Sequence, residues 1–187
     1  MIYPDPLPFK LRVLRAVTAT LKTITPANGY FYDLSDDTDP DALHPTRVFR
    51  GRAWFGDNDP IPMLSVLEGV NPADEVAEPQ RTNPKAAYEW PILIQGFVND
   101  DPVHPTDPAY LLMADVRRRL AVERERKIPG SQSQSDPFGM GAAGPNRVVA
   151  LDIGPGVVRP ADDVSARAYF WLLITLTIVD DASQPYA

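Results

Sequence analysis

The chain has 187 residues, enough for one domain with a buried core. Its composition, 44% hydrophobic and 23% charged, excludes the class of intrinsically disordered proteins. The net charge of -7 argues against stable binding to nucleic acid, which needs clustered Lys and Arg. The absence of cysteine excludes disulfides, thiolate metal sites and cysteine nucleophiles, and fits a reducing cytoplasm.

The sequence predicts neither an export signal nor a membrane span. The first ten residues, MIYPDPLPFK, lack the basic and apolar regions of a secretory signal. The most apolar run, residues 168–179, is interrupted by threonines and is shorter than the roughly 20 residues that a membrane helix needs.

Two amphipathic helices are predicted from apolar residues at spacings of three and four. The first covers residues 9–24 and ends before Pro26, because the residue preceding a proline is pushed out of the helical conformation. The second covers residues 109–126, with Asp107 as its N-cap and Pro108 as its first residue.

The second helix also carries the most concentrated basic cluster in the chain. We single out Arg117 and Arg118 as candidate partner-binding residues, because they lie away from the apolar stripe of the helix. Glu123 and Glu125 lie among these arginines, so a solvated and self-compensating helix face is the competing interpretation.

Several strands are predicted between and after the helices. Three short strands are predicted at residues 30–33, 48–55 and 63–67, followed by a longer strand at residues 88–98. Pro91 interrupts that strand, and because proline cannot donate a backbone hydrogen bond, this end of the strand is predicted at a sheet edge or among its first residues.

The closing strand, residues 166–179, gives the strongest signal, because its apolar residues alternate regularly with others. At about 3.3 Å per residue it would span about 45 Å, so we expect it to project beyond its own domain. Its second face offers Arg167, Tyr169 and Trp171 as candidate interface residues. Shorter strands are predicted at 148–153 and after residue 157.

The region 129–146 is rich in Gly, Ser and Gln and is predicted to be a flexible, exposed insertion, with Phe138 and Met140 as candidate interface residues. Proline accounts for 21 residues and lies mainly between the periodic segments, which predicts long, stiff loops. The grouping of strands into runs predicts a single α+β domain over residues 1–187, with a mostly antiparallel sheet and both helices on one face.

No catalytic or metal-binding motif is present. His44 and His104 stand in acidic turns beside Asp41 and the pair Asp100 and Asp101, and exposed loop residues are favoured over metal ligands. The acidic runs lack the spacing of a calcium loop, the sequence FGMGAAGP lacks the lysine of a phosphate loop, and no GxSxG elbow occurs. We therefore predict no enzyme, no cofactor and no metal.

The order of elements resembles that of the tail terminator proteins of long-tailed bacteriophages. The resemblance rests on the segments LRVLRAVTATLKTI, VFRGR, YEWPILIQGFV, PAYLLMADVRRRLAVE and ARAYFWLLITLTIVDD. It covers most of the chain by pattern and rests on no invariant signature. Three stretches look like insertions relative to the simplest members: residues 33–46, 71–85 and 129–146.

The resemblance implies a virion protein that is assembled in the cytoplasm of a bacterial host. Its copies would form a hexameric ring at the head-proximal end of the tail tube, stop tube polymerisation and bind the head-completion or neck protein. DNA would be a partner only while passing through the lumen. Two alternatives remain: another neck, head-completion or tube protein, and a hydrolase that uses carboxylates in the acidic loops.

Overall fold

The computed structural model describes residues 6–39, 45–53, 55–56, 58–69, 85–141, 146–162 and 165–187. The helices and strands, in chain order, are α1 (Phe9–Leu21), β1 (Val48–Arg50), β2 (Met63–Glu68), β3 (Lys85–Val98), α2 (Asp107–Arg124), β4 (Arg147–Ile153), β5 (Val157–Arg159) and β6 (Ala168–Asp181). Two short 3-10 turns lie at Pro26–Asn28 and Pro137–Gly139.

The strands form a six-stranded sheet in the order β1-β2-β3-β6-β4, with β5 pairing to the other end of β6. The β1–β2 pair is parallel and the other named pairs are antiparallel. The prediction of an α+β fold with a mostly antiparallel sheet and two helices is therefore confirmed.

Both helices pack on one face of this sheet, which we call the covered face. The predicted stripe on α2 is fully buried there, and its members are Leu112, Val116 and Leu120. The matching sheet residues alternate along β3 and β6 and include Ile92, Ile94, Phe170, Leu172, Ile174 and Leu176. Apolar residues recur about every 3.6 positions in the helices and every second position in the strands. The two apolar faces therefore meet in one continuous core between the layers.

The prediction that the last strand projects from the domain is wrong. β6 pairs with β3 over its whole length, from Ala168 opposite Val98 to Asp181 opposite Lys85. β3 is as long as β6, at 14 residues each, so the long strand finds its partner within the same chain.

Pro91 lies in the interior of β3. Of the two predicted placements, the one among the first residues of the strand is therefore wrong. The ladder between β2 and β3 ends at the Glu68–Ile92 pair, and the Pro91 carbonyl accepts a hydrogen bond from Gly69 N–H at 3.4 Å. Because the N and O atoms of a strand residue face the same neighbour, the missing N–H of Pro91 faces the β2 side. Pro91 therefore lies at the end of the β2–β3 ladder, and its missing N–H removes no hydrogen bond between β3 and β6.

The predicted strand at residues 30–33 is absent, which is a second correction. The backbone N–H groups of Phe31 and Tyr32 both donate to the Asp115 carboxylate at 2.9 Å, so they are satisfied by a helix side chain and not by a neighbouring strand. The strand predicted at 48–55 is confined to β1, of three residues.

The helix boundaries also differ from the prediction. α2 begins at Asp107, and Thr106 occupies the N-cap position without a side-chain hydrogen bond, so Asp107 is not the cap. α1 ends at Leu21, three residues earlier than predicted. Neither described helix is long and apolar enough to cross a membrane.

The region after α2 is mostly exposed over residues 129–135, as predicted, but residues 136–141 fold back onto the domain. Asp136 and Pro137 are buried, and Phe138 and Met140 pack against the main core. Predictions for His44, Asp41 and Asp57 fall outside the described residues, as do those for residues 70–84 and 142–145.

Glu123 explains why this region folds back. Its carboxylate is fully buried on α2 and accepts hydrogen bonds from Arg119 and Arg126 at 2.7 Å and from the Phe138 N–H at 3.0 Å. Burial by itself raises the pKa of Glu123, but these arginine hydrogen bonds and charges outweigh it, so the pKa lies below its usual value. The basic cluster is therefore partly internal: two of its arginines neutralise one buried acid.

Candidate interaction surface

The face of the sheet opposite the helices carries an apolar stripe beside polar residues such as Gln95 and Thr175, and is largely without a covering layer among the described residues. We call it the open face and define it by six residues on β2, β3, β5 and β6: Leu67, Pro91, Leu93, Val157, Trp171 and Leu173. The register aligns Leu67, Leu93 and Leu173 in one row across three strands. Apolar side chains at alternate positions therefore form a second, outward stripe.

Three residues of this face are substantially exposed: Val157 at 50%, Leu173 at 41% and Trp171 at 37%. Leu67, Pro91 and Leu93 are half-buried by their neighbours. Single exposed apolar residues are normal on a protein surface, but a contiguous apolar patch marks a site of interaction. The open face is such a patch.

One end of the open face is a cleft of about 330 Å³. Its floor consists of Met63, Phe97 and Tyr169, which form a small apolar cluster of their own, and the half-buried Phe55 and Ile61 pack against them. Ring centroids lie 4.4 Å apart for Phe55 and Phe97 and 6.0 Å apart for Phe97 and Tyr169. The wall nearest the open face is Trp171, with its ring 5.5 Å from Tyr169.

Arg167 and Arg159 bring positive charge to this cleft. Arg167 lines it and donates to the neutral Asn99 side-chain oxygen at 2.7 Å, and Arg159 lies opposite Tyr169 in the β5–β6 ladder. Neither arginine forms an ion pair with any residue in the described part of the chain.

The acids near the cleft are already engaged. Asp59 forms an ion pair with Arg52 at 2.6 Å, and Asp162 accepts a hydrogen bond from the Tyr169 hydroxyl at 2.8 Å. Burial, followed by the hydrogen bond and the charge of Asp162, raises the pKa of Tyr169, so its hydroxyl stays protonated as a donor. The cleft therefore combines aromatic walls with two cationic side chains at its margin.

Four of the eight residues predicted as interface candidates meet at this surface: Pro91, Arg167, Tyr169 and Trp171. Tyr169 is buried in the floor of the cleft and the other three are more accessible.

The other four candidates lie elsewhere. Arg117 and Arg118 are exposed on α2, across the sheet from the cleft, and Arg118 donates to the Gly29 carbonyl at 2.7 Å. Phe138 and Met140 pack against the core of the chain itself and are only half-buried. The structure thus does not assemble the eight residues into one site.

The sequence prediction missed Leu93, Leu173 and Phe31. The two leucines were present in strong strand patterns, but their exposure depends on which sheet face the helices cover. Phe31 is the most exposed phenylalanine among the described residues, at 67%, and it was assigned to a strand. Its position is fixed by a hydrogen bond to Asp115, which lies 84 residues further along the chain. The sequence around Phe31 therefore does not predict it.

No group of three or more potential metal-ligating side chains lies together in the described part of the chain. His104 is exposed, and its backbone N–H donates to Asp101 at 2.7 Å, which makes this acidic turn a local hydrogen-bonded loop.

No protein-family model matches the sequence, and the search of curated proteins found no significant match.

Proposed function

We propose that the chain is a structural subunit that assembles through its open face into a ring resembling that of phage tail terminators. In this role the ring caps the head-proximal end of a tail tube, stops its polymerisation and joins the tail to the head-completion or neck protein. The subunit belongs to the virion and is assembled in the bacterial cytoplasm. It carries out no catalysis.

The observation that carries this proposal is the group of exposed apolar residues that β5 and β6 present on the open face. Burying the remaining surface of Trp171, Leu173 and Val157 would contribute on the order of 1 kcal/mol each. A folded chain gains this free energy only by covering the open face with another surface. Several such contacts, repeated around a closed ring, add up to a stable assembly.

The charge of the chain supports the same role. Because the net charge of the chain is -7, a ring of its copies is expected to have an acidic lumen. Such a lumen does not hold phosphates by counterion release, so DNA can slide through it. DNA is therefore proposed as a transient passenger and not as a ligand.

A tube subunit or another neck protein would also use an apolar sheet face, so the distinguishing property is where assembly stops. No observation in the described residues favours a carboxylate hydrolase over these structural roles. A tube subunit forms long polymers by itself, whereas a terminator stops at one ring.

Light scattering and negative-stain imaging test the proposal, with the protein at high concentration and with and without purified tail tubes. We expect a discrete ring of constant mass that binds tube ends. Long polymers would favour the tube subunit, and a monomer that ignores tubes at every concentration would contradict the proposal.

A further inference from the structure

Phe31 is an exposed aromatic side chain on a fixed backbone. Its ring is 67% exposed, yet its N–H and that of Tyr32 are both held at 2.9 Å by the Asp115 carboxylate, which is itself buried. The Tyr32 hydroxyl adds a hydrogen bond to the Pro108 carbonyl at 3.1 Å. A large apolar side chain held in one position loses little entropy when it binds, which is typical of an interface anchor.

The segment that follows Phe31 is acidic. It carries four exposed carboxylates, those of Asp33, Asp36, Asp37 and Asp39. Lys22 pairs with Asp36 at 2.7 Å, Arg47 lies near Asp33, and Arg118 stacks on the Tyr30 ring, so the four acids exceed the nearby cations by one charge. We call Phe31 together with this acidic segment the knob.

The cleft at the end of the open face has complementary properties. Its walls are aromatic and apolar. Arg167 lines it and Arg159 lies next to Tyr169 on the adjacent strand, and neither arginine has an ion-pair partner in the described residues. A dry apolar cavity of about 150 Å³ can hold a benzene ring, so a cleft of about 330 Å³ has room for a phenylalanine side chain. Aromatic pairs in such a site add to the free energy of burial.

Phe31 and the cleft lie on different sides of the sheet, whereas the acidic segment reaches the sheet edge, where it lines a depression with Arg47 and Pro62. The knob is attached to α2 through Asp115, and α2 packs on the covered face. The cleft opens on the other face of the same sheet. Phe31 is thus held on the helix layer and not in the cleft of its own chain, and its exposed side chain can enter the cleft of another copy.

We propose that Phe31 of one copy binds in the cleft between Phe55, Phe97 and Trp171 of the neighbouring copy, with the acidic segment facing Arg159 and Arg167. This inference rests on the proposed ring, and it names the two halves of the contact. Because the halves differ, the interface is heterologous, and its repetition generates a ring if the rotation between copies closes.

Two variants test each half separately. Phe31→Asp removes the knob, and Ala166→Trp fills the cleft, which the exposed Ala166 lines. Each variant is expected to weaken self-association at least about tenfold, because truncating a central aromatic anchor has an effect of this size. Both positions are exposed, so thermal unfolding midpoints close to that of the parent chain serve as the folding control.

A mixture of the two variants provides the sharper measurement. Phe31→Asp retains its cleft and Ala166→Trp retains its knob, so one intact contact is possible between the two chains and none within either variant alone. We expect analytical ultracentrifugation to show monomers in each separate sample and a one-to-one heterodimer in the mixture.

A photo-crosslink identifies the contact directly. Benzoylphenylalanine introduced at position 31 keeps an aromatic side chain there, and mass spectrometry should locate its crosslinks in the strand segment 165–171 or at Met63 of another copy. The same group at the position of Tyr110, which is 55% exposed on α2, is the matched control and should not reach these residues.

The outcomes separate this inference from the proposed function. If the parent chain forms rings and both variants still form them, or if the crosslinks lie outside the cleft, the knob and cleft are not the contact and the ring proposal stands. If the parent chain remains monomeric at all concentrations, the ring proposal itself is contradicted. Loss of assembly in both variants with a heterodimer in the mixture supports both.

Discussion

Phe170 and Trp171 are neighbours on β6, and they face opposite sides of the sheet. Phe170 is fully buried under the helices, whereas the Trp171 side chain on the open face is 37% exposed. Both faces carry a stripe of apolar residues, but only one has helices of this chain packed on it. The comparison teaches that apolar patterning identifies surfaces to be covered, and that the covering partner need not be in the same chain. The predictions below change one face at a time.

Among the substitutions that shorten a side chain, the largest effect on stability is expected from Phe170→Ala on the covered face. Removing a fully buried phenyl ring leaves a cavity that the two layers cannot close, so the free energy of unfolding should fall by about 4 kcal/mol. Urea denaturation measures the change. The adjacent Trp171→Ala is the control, and we expect it to lose about 2 kcal/mol, because its ring is only partly buried. Equal losses in the two variants would remove the distinction between the faces.

Glu123→Gln tests the acid that anchors the region after α2. Arg119 and Arg126 lose their buried charged partner, so we expect a loss of about 3 kcal/mol at pH 7. Glu125→Gln is the matched control, because Glu125 is exposed and pairs only with the exposed Arg124.

The same carboxylate predicts a pH dependence. Its pKa is lower in the folded chain than the ordinary 4.5, so its stabilising contribution is complete above that pH and is lost as the pH falls below it. The difference in stability between the parent chain and Glu123→Gln should therefore shrink in denaturation experiments below pH 4.5. A difference that stays constant into strong acid would contradict the ion-pair account.

Gly96→Ala probes the contact between β3 and the covered core. A Cβ atom at this position would overlap the Phe170 ring, so the ring must move and the chain should lose about 2 kcal/mol. Gln95→Ala, one residue away on the other face, is expected to change stability by about 0.5 kcal/mol. Thermal unfolding of both variants compares the two faces at adjacent positions.

A small effect on stability is also expected from Leu173→Glu on the open face. Leu173 is 41% exposed, so a charged side chain can reach water, and the loss should be about 1 kcal/mol or less. Leu172→Glu is the counterpart on the covered face, where a buried carboxylate has no partner and the chain should fail to fold.

Much of the fold was predictable because strong local periodicity agreed with the final packing. The alternation in β6 and the stripe Leu112, Val116 and Leu120 in α2 each define a buried face without reference to the rest of the chain. Where the chain satisfies its polar groups over long distances, prediction failed. The backbone N–H groups of Phe31 and Tyr32 donate to Asp115, which is distant in the sequence. The local sequence of this segment instead predicts a short strand.

The candidate surface was predictable only in part. Trp171 and Pro91 were selected because they stood out in their strands, whereas the cleft draws residues from three separate regions of the chain. Glu123 shows the same limit, since a glutamate among arginines on a helix looks solvated until the region after the helix folds over it. Local sequence reveals which residues are apolar or charged, but their accessibility follows from tertiary contacts.

The most direct test of the account is sedimentation equilibrium of the parent chain and Leu173→Glu, at equal concentrations and after confirming that both are folded. If the open face is an assembly surface, the parent chain should form a discrete oligomer and the variant should remain monomeric. A folded variant that associates as strongly as the parent chain, or a parent chain that never associates, would contradict the claim that another copy covers this face.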